Sequence, residues 1–348
     1  MTQFPVVCSE SRCLRGGRPA GAGYLVRAVA RYRITIAYDG TDFHGWQRQY
    51  AQAEIPAGGA RPAPSRLRRD ASPVGEGGGL QGVGDGEGAE VAEMAAAEGD
   101  HSRAQLRTVQ DVVQRAVREV IREPVIVVGA SRTDSGVHAR AQTAAFTVSD
   151  ERRENHGPPD ERLAMAINSR LPEDVLVTEC RRVRDDFDPI KDCVAKGYRY
   201  SLHVSRDRPL WERKYVHHVW TELDCDAMQA GAEAIVGTHD FAAFAAAGHG
   251  RETTVRTVLA CRVTRPVREK VLIDVSGTGF LWNMVRIIAG TLVEVGRGRL
   301  RAEEVAGIIA SRDRRNAGPT LPAQGLCLEW VHYDGDDASR LGAFGVTL

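Results

Sequence analysis

Residues 130–142 read "ASRTDSGVHARAQ" and set one carboxylate, Asp134, two residues from Arg132 and two from Gly136. A carboxylate that follows an apolar strand, in a turn that glycine lets bend and with Arg132 and Arg140 nearby, is favoured in its ionised form. That form suits a nucleophile or general base better than an acid. The same residues also make an ordinary Asx-turn, in which Asp134 accepts from backbone N–H groups. Spacing alone leaves both readings open.

Arg286 bears on the choice. It sits in "FLWNMVRIIAG" between Met284, Val285, Ile287 and Ile288, on a segment with little polar face. A guanidinium there must reach solvent or a carboxylate, because an unpaired buried charge costs several kcal/mol, on the order of 3–5. Its partner is either local or Asp134. Tyr198, in "KGYRY", and Phe43, His44 and Trp46, in "FHGWQRQ", interleave aromatics with bases, a pattern that suits stacking on nucleobases beside phosphates and equally suits strand residues packed in a core. The chain has no P-loop, no dinucleotide-binding glycine fingerprint, no HExxH and no GxSxG. No neighbouring carboxylates or histidines stand at ligand spacing around Asp134. Neither a metal nor an organic cofactor is expected.

The elements that must position these residues are legible as periodicities. "RYRITIAYDG" alternates Tyr32, Ile34, Ile36 and Tyr38 with Arg33, Thr35 and Ala37, as a half-buried strand does. A helix is expected from Thr108, with Thr108 and Asp111 as a capping box, and Pro124 stops it. "VIVVGA" then reads as a buried strand into the Asp134 turn, "TAAFTV" as a strand after it, and "DERLAMAINSRLP" as a helix. Further on, "KGYRYSLHV" puts Tyr198, Tyr200, Leu202 and Val204 on one strand face. Asp224 or Asp226 caps a helix, "TTVRTVLACRV" and "VLIDVSG" pair antiparallel, and "FLWNMVRIIAGTLVEVG" is an apolar helix. "AEEVAGIIASRD" is another helix and "GLCLEWVHY" a closing strand. The expected class is α+β, with two similar halves of sheet plus helices, residues 31–195 and 196–335, and a cleft between them.

The 348 residues carry 46 basic and 46 acidic side chains, so bulk positive charge does not hold a polyanion here, and local patches decide. Residues 50–106 hold eleven glycines, five Arg and nine Asp or Glu. Such a composition is expected to stay a disordered acidic insertion in a surface loop. The first 30 residues read as a disordered extension and 336–348 as a tail. Seven scattered cysteines without a CxxC pair are expected as reduced thiols in a cytoplasmic protein. No stretch has the apolar length of a membrane span.

Four strings, "YDGTDFHGWQRQ", "SRTDSGVHARAQ", "KGYRYSL" and "FLWNMVRIIAGTLVEVGRGR", occur in the order seen in the TruA family, the tRNA pseudouridine synthases acting at positions 38 to 40 of the anticodon arm. The resemblance covers roughly residues 31–335 apart from the 50–106 insertion. It implies the pseudouridine synthase fold, no cofactor, and a homodimer whose tRNA contacts both subunits. It further implies that Asp134 is the nucleophile and Tyr198 packs on the target base. Arg286 would pair with the aspartate, and Arg132 would help displace the base. Where the family commonly has Gly-Arg-Thr-Asp-Ala-Gly, this chain has Ser131 before Arg132 and Ser135 after Asp134; both replacements are small. Within the enzyme class, a synthase acting on another RNA shares the aspartate chemistry. A non-catalytic RNA-binding or RNA-chaperone protein would need neither Asp134 nor Arg286. The insertion's negative charge would repel RNA if it covered the cleft. Deletion of residues 52–104 is therefore expected to leave tRNA modification largely intact in a pseudouridine mapping assay, and a large loss of activity overturns that reading.

Overall fold

The computed structural model describes residues 29–47, 106–149, 157–246 and 252–337. The first 28 residues, nearly all of the expected acidic insertion and residues 338–348 of the expected tail lie outside them. Strand β1 (Val29–Tyr38) buries Tyr32, Ile34, Ile36 and Tyr38 as its alternation requires. Helix α1 (Val109–Ile121) follows, then β2 (Val128–Gly129), β3 (His138–Ser149), α2 (Asp160–Asn168) and β4 (Val175–Val183). The second half runs β5 (Cys193–Val204), β6 (His217–Val219), α3 (Cys225–Glu233), β7 (Gly237–Asp240), β8 (Val255–Val267), β9 (Lys270–Gly277), α4 (Met284–Gly296), α5 (Glu304–Ser311) and β10 (Leu326–Tyr333).

The class is α+β, and the strands of both halves join one ten-stranded sheet, eight of them in the order β4-β1-β3-β10-β5-β9-β8-β7, with β2 paired to β3 and β6 to β5 beside that path. Strand β10, last in sequence, lies at its middle. It pairs antiparallel with β5 of the second half and parallel with β3 of the first, through Cys327 with His138 and Leu328 with Ala139. The expected division at 195/196 falls inside β5. One apolar cluster reaches from Tyr32 and Phe146 to Tyr200, Ile287 and Leu292, so the core crosses the seam.

Several local expectations change, and the apolar helix expected from Phe280 begins at Met284. Thr108 occupies the N-cap of α1 but makes no capping bond, and its buried hydroxyl finds no partner. The amides of Val109 and Gln110 donate instead to the carbonyls of Gly45 and Trp46, so the loop after β1 caps the helix. The strand expected over "VIVVGA" shrinks to Val128–Gly129. The reason is that Gln114 accepts from the Val127 amide at 3.1 Å and Gln110 donates to the Val127 carbonyl at 2.9 Å, which removes Val127 from ladder pairing. In the second half Asp224, rather than Asp226, caps α3 by accepting from the Ala227 amide at 2.9 Å.

Helix α4 is buried on every side except at Arg286 and Glu294, as expected of a helix with an apolar surface all round. Its close seat depends on Gly290, where an added Cβ would stand 1.9 Å from the Pro319 carbonyl oxygen. The Gly318 amide bonds Thr291 Oγ1 at 2.9 Å beside it. Gly290→Ala is therefore expected to lower stability by about 1–3 kcal/mol, read as a fall in the urea unfolding midpoint. An unchanged midpoint would show that the 318–319 segment moves aside freely.

Candidate active site

The turn at residues 130–137 is fixed from several directions. The Trp46 amide donates to the Thr133 carbonyl at 3.0 Å and the Gly136 amide to the Phe43 carbonyl at 3.2 Å. Tyr38 and Thr133 share a hydroxyl bond of 2.7 Å, and Gln142 donates to the Ser131 carbonyl. Lys196 Nζ donates to the Ala130 carbonyl at 3.0 Å. The loop after β1 lies against the turn so closely that a Cβ on Gly40 would sit 2.0 Å from the Val137 carbonyl oxygen. Gly136 has φ +78°, in the left-handed region that glycine enters without strain. "DGTDFHGW" is thus the cradle of the Asp134 turn. Phe43 and Trp46, read above as possible base-stacking residues, are buried at 2% exposure each. They carry the cradle instead.

Asp134 emerges from this support with its side chain 29% exposed. Arg286, 152 residues away in sequence, donates from Nη1 to Asp134 Oδ2 at 3.2 Å. The same guanidinium donates from Nε to the Leu321 carbonyl at 2.7 Å and from Nη1 to Asn283 Oδ1 at 2.6 Å. Both partners considered for Arg286, one local and one at Asp134, are therefore engaged. Trp282 donates its indole N–H to Asp134 Oδ1 at 3.0 Å. Asn283, which precedes α4, adopts φ +61°, a conformation that asparagine tolerates better than most residues.

Tyr198 is buried at 6% exposure beneath the turn, with its hydroxyl 2.9 Å from Ser131 Oγ and its ring edge-on to Phe280 at 5.3 Å. Burial raises its phenol well above the ordinary range, and the carboxylate of Asp134 adds to the rise, so it stays protonated. Ser135 donates to the Phe43 carbonyl at 3.1 Å. Each serine thus adds a side-chain hydrogen bond that glycine or alanine could not make. Arg132 is exposed on the turn. Three of the four expected site residues, Asp134, Arg286 and Tyr198, converge from distant stretches, with Arg132 beside them. Sequence reasoning missed Trp282 and Asn283. Their only signal was two side chains able to donate or accept hydrogen bonds just before an apolar helix.

Among the described residues no group of three or more His, Cys, Asp or Glu is arranged to hold a metal ion. No helix there is long and apolar enough to cross a membrane. A cavity of about 680 Å³ lies against Asp39, His138, Arg199, Tyr215, Lys270 and Glu329. It includes none of Asp134, Tyr198, Trp282 or Arg286.

His138 closes the turn. Its Nδ1 accepts from the Gly40 amide at 3.0 Å and its Nε2 faces the Lys214 carbonyl at 3.0 Å. A ring that accepts at Nδ1 and donates at Nε2 is neutral, so the approach of Asp39 Oδ1 at 3.2 Å is not an ion pair. Burial lowers the pKa of His138 below the usual 6.5, despite the opposing pull of Asp39. Burial lowers that of His217 too. The unfolded chain then binds protons that the folded chain refuses. The stabilisation is complete above about pH 6.5 and is lost as pH falls through the lowered folded values. Urea unfolding is expected to show a smaller stability at pH 5.5 than at pH 7, and His138→Gln should flatten that slope. An equal slope in the variant would remove His138 as a source.

A family model described as tRNA pseudouridine synthase matches residues 232–334, a stretch that holds Trp282, Asn283 and Arg286. A protein named tRNA pseudouridine synthase A from Acetivibrio thermocellus is 35% identical over 302 residues, 86% of this chain and 98% of its own length. Its namesake from Solidesulfovibrio magneticus is 39% identical over 321 residues, 91% of this chain and 96% of its own. A protein from Clostridium tetani named tRNA pseudouridine synthase A 2 is 40% identical over 232 residues, 66% of this chain and 90% of its own. The family model and these relatives thus define an isomerase of the pseudouridine synthase class. Within that class the chain belongs to the tRNA pseudouridine synthase A family.

Proposed function

We propose that the protein isomerises uridine to pseudouridine at positions 38 to 40 in the anticodon stem-loop of tRNA, with Asp134 as the nucleophile. The observation that carries the reading is the Asp134 carboxylate itself. It is partly exposed on a braced turn and met by Arg286 from the other half of the chain at 3.2 Å. The four motifs quoted above support the position on tRNA, and the family supports the reaction.

In this reading Arg132 enters the RNA and helps displace the target base, a step that any chemistry on a base within a helix requires. Asp134 forms a covalent adduct with the nucleotide, and that bond breaks again before pseudouridine leaves, restoring the carboxylate. The N1–C1′ bond breaks, the uracil turns, and a C5–C1′ bond forms as the C5 proton is lost and N1 gains one. Substrate and product are isomers, so the atoms balance without an oxidant, reductant or co-reactant. Tyr198 packs against the detached base and limits its escape, and its bond to Ser131 keeps the ring from swinging away. Arg286 keeps positive charge beside Asp134 while the adduct forms and breaks. Residues 31–195 and 196–335 act as two halves that each lend groups to the site. The enzyme works in the cytoplasm as a homodimer, with tRNA contacting both subunits.

The test is incubation with an unmodified anticodon arm and carbodiimide mapping of pseudouridine. Wild type is expected to modify positions 38 to 40, and Asp134→Asn to modify none. Isomerisation that persists in Asp134→Asn refutes the nucleophile, and modification confined to other positions points to a different RNA target. A lysine cannot hold Leu321, Asn283 and Asp134 at once as the arginine fork does. Arg286→Lys is therefore expected to lower turnover by about a hundredfold with little change in RNA affinity. The opposite split would make Arg286 a binding residue.

A further inference from the structure

Trp282 is half exposed, at 50%, although its indole N–H sits 3.0 Å from the Asp134 carboxylate. A tryptophan whose purpose is packing hides its ring. This one leaves half of it in solvent beside the proposed nucleophile.

The two oxygens of Asp134 are held unequally. Oδ2 receives Arg286 Nη1 at 3.2 Å, from a guanidinium more closely engaged with Asn283 at 2.6 Å and Leu321 at 2.7 Å. Oδ1 receives the indole N–H at 3.0 Å. An indole N–H is a donor only and does not titrate in water. It can fix the plane of the carboxylate without taking up its proton or cancelling its charge. Arg286 supplies the charge, and Trp282 supplies the shorter directional contact.

The backbone makes Trp282 a stiff mount. Leu281 before it is buried, and the Leu281 carbonyl accepts from the Met284 amide at 3.0 Å. The Trp282 carbonyl accepts from the Ala246 amide at 3.1 Å. Asn283 after it turns the chain through φ +61° into α4. The indole edge is thereby pointed at Asp134 while a large part of the ring surface stays open.

We infer that Trp282 is a positioning residue for Asp134 whose exposed ring stacks on a nucleobase next to the extruded uridine. Extrusion leaves that neighbour without its stacking partner. An aromatic surface beside the proposed nucleophile is the chemistry that would take its place, worth about tenfold in binding for one stacked base. Binding of the RNA then presses on the side chain that aligns the carboxylate. The inference rests on the reading of Asp134 as nucleophile.

Four variants separate the parts, measured as turnover and RNA affinity on an unmodified tRNA anticodon arm. Trp282→Phe keeps a stacking face and loses the N–H. Its turnover is expected to fall about tenfold, the size of a lost hydrogen bond to a charged group, with affinity unchanged. Trp282→His restores an N–H on a smaller ring and is expected to recover part of the turnover lost in Trp282→Phe. Trp282→Ala is expected to lose turnover and also to bind the RNA about tenfold more weakly. Tryptophan fluorescence of the wild type should be quenched on RNA binding, more than that of Trp282→Phe. Full turnover in Trp282→Phe overturns the positioning role, and unchanged affinity in Trp282→Ala overturns the stacking role. Asp134→Asn is run alongside: if it still turns over, the reading of the nucleophile fails, whatever the tryptophan variants do.

Discussion

Two residue pairs join the two halves of the molecule at the centre of its sheet. Cys327 beside His138 and Leu328 beside Ala139 form a short parallel contact, and β10 then runs antiparallel along β5. The start of β3 carries the Asp134 turn, and β5 carries Tyr198. Joining the strands by way of β10 therefore sets the carboxylate over the tyrosine. Helix α4 packs in the same core and brings Arg286 and Trp282 to the other side of the turn. No local stretch contains more than a fragment of this arrangement. The last strand in sequence completes it from the middle of the sheet.

The turn itself is a case of support exceeding exposure. Backbone and side-chain bonds from the loop after β1, from Gln142 and from Lys196 hold a segment that presents the two carboxylate oxygens of Asp134. Buried phenols at Tyr38 and Tyr198 contribute hydroxyls, and burial keeps both protonated. Rigidity of this kind keeps a nucleophile near its productive geometry without reorganisation during the reaction.

Much of this was legible in the sequence, for identifiable reasons. Alternation in β1 and β5 and the apolar periodicity of α4 are imposed by burial, so they appear as patterns. Arg286 stood out because charge on an apolar helix needs a partner. Other features are made by contacts with no period. The caps of α1 come from Gly45 and Trp46 rather than Thr108, and glutamine side chains remove Val127 from the sheet. Phe43 and Trp46 stayed ambiguous in the sequence because an aromatic beside a base looks alike whether it serves a ligand or a core. Trp282 and Asn283 were absorbed into the expected helix, which begins at Met284. A change of backbone hand over one residue leaves no trace in hydrophobic periodicity.

That single residue also narrows which sequences the site tolerates. Asn283 has two duties, a left-handed backbone and an oxygen for Arg286. Glycine would satisfy the first and abandon the second. Aspartate would satisfy both but set a second negative charge against the same guanidinium, drawing it from Asp134. Valine and isoleucine would satisfy neither. Mutational drift near the Asp134 carboxylate is thus confined at a position that never touches substrate in the proposed reaction, by the combined demands of one torsion angle and one carbonyl oxygen.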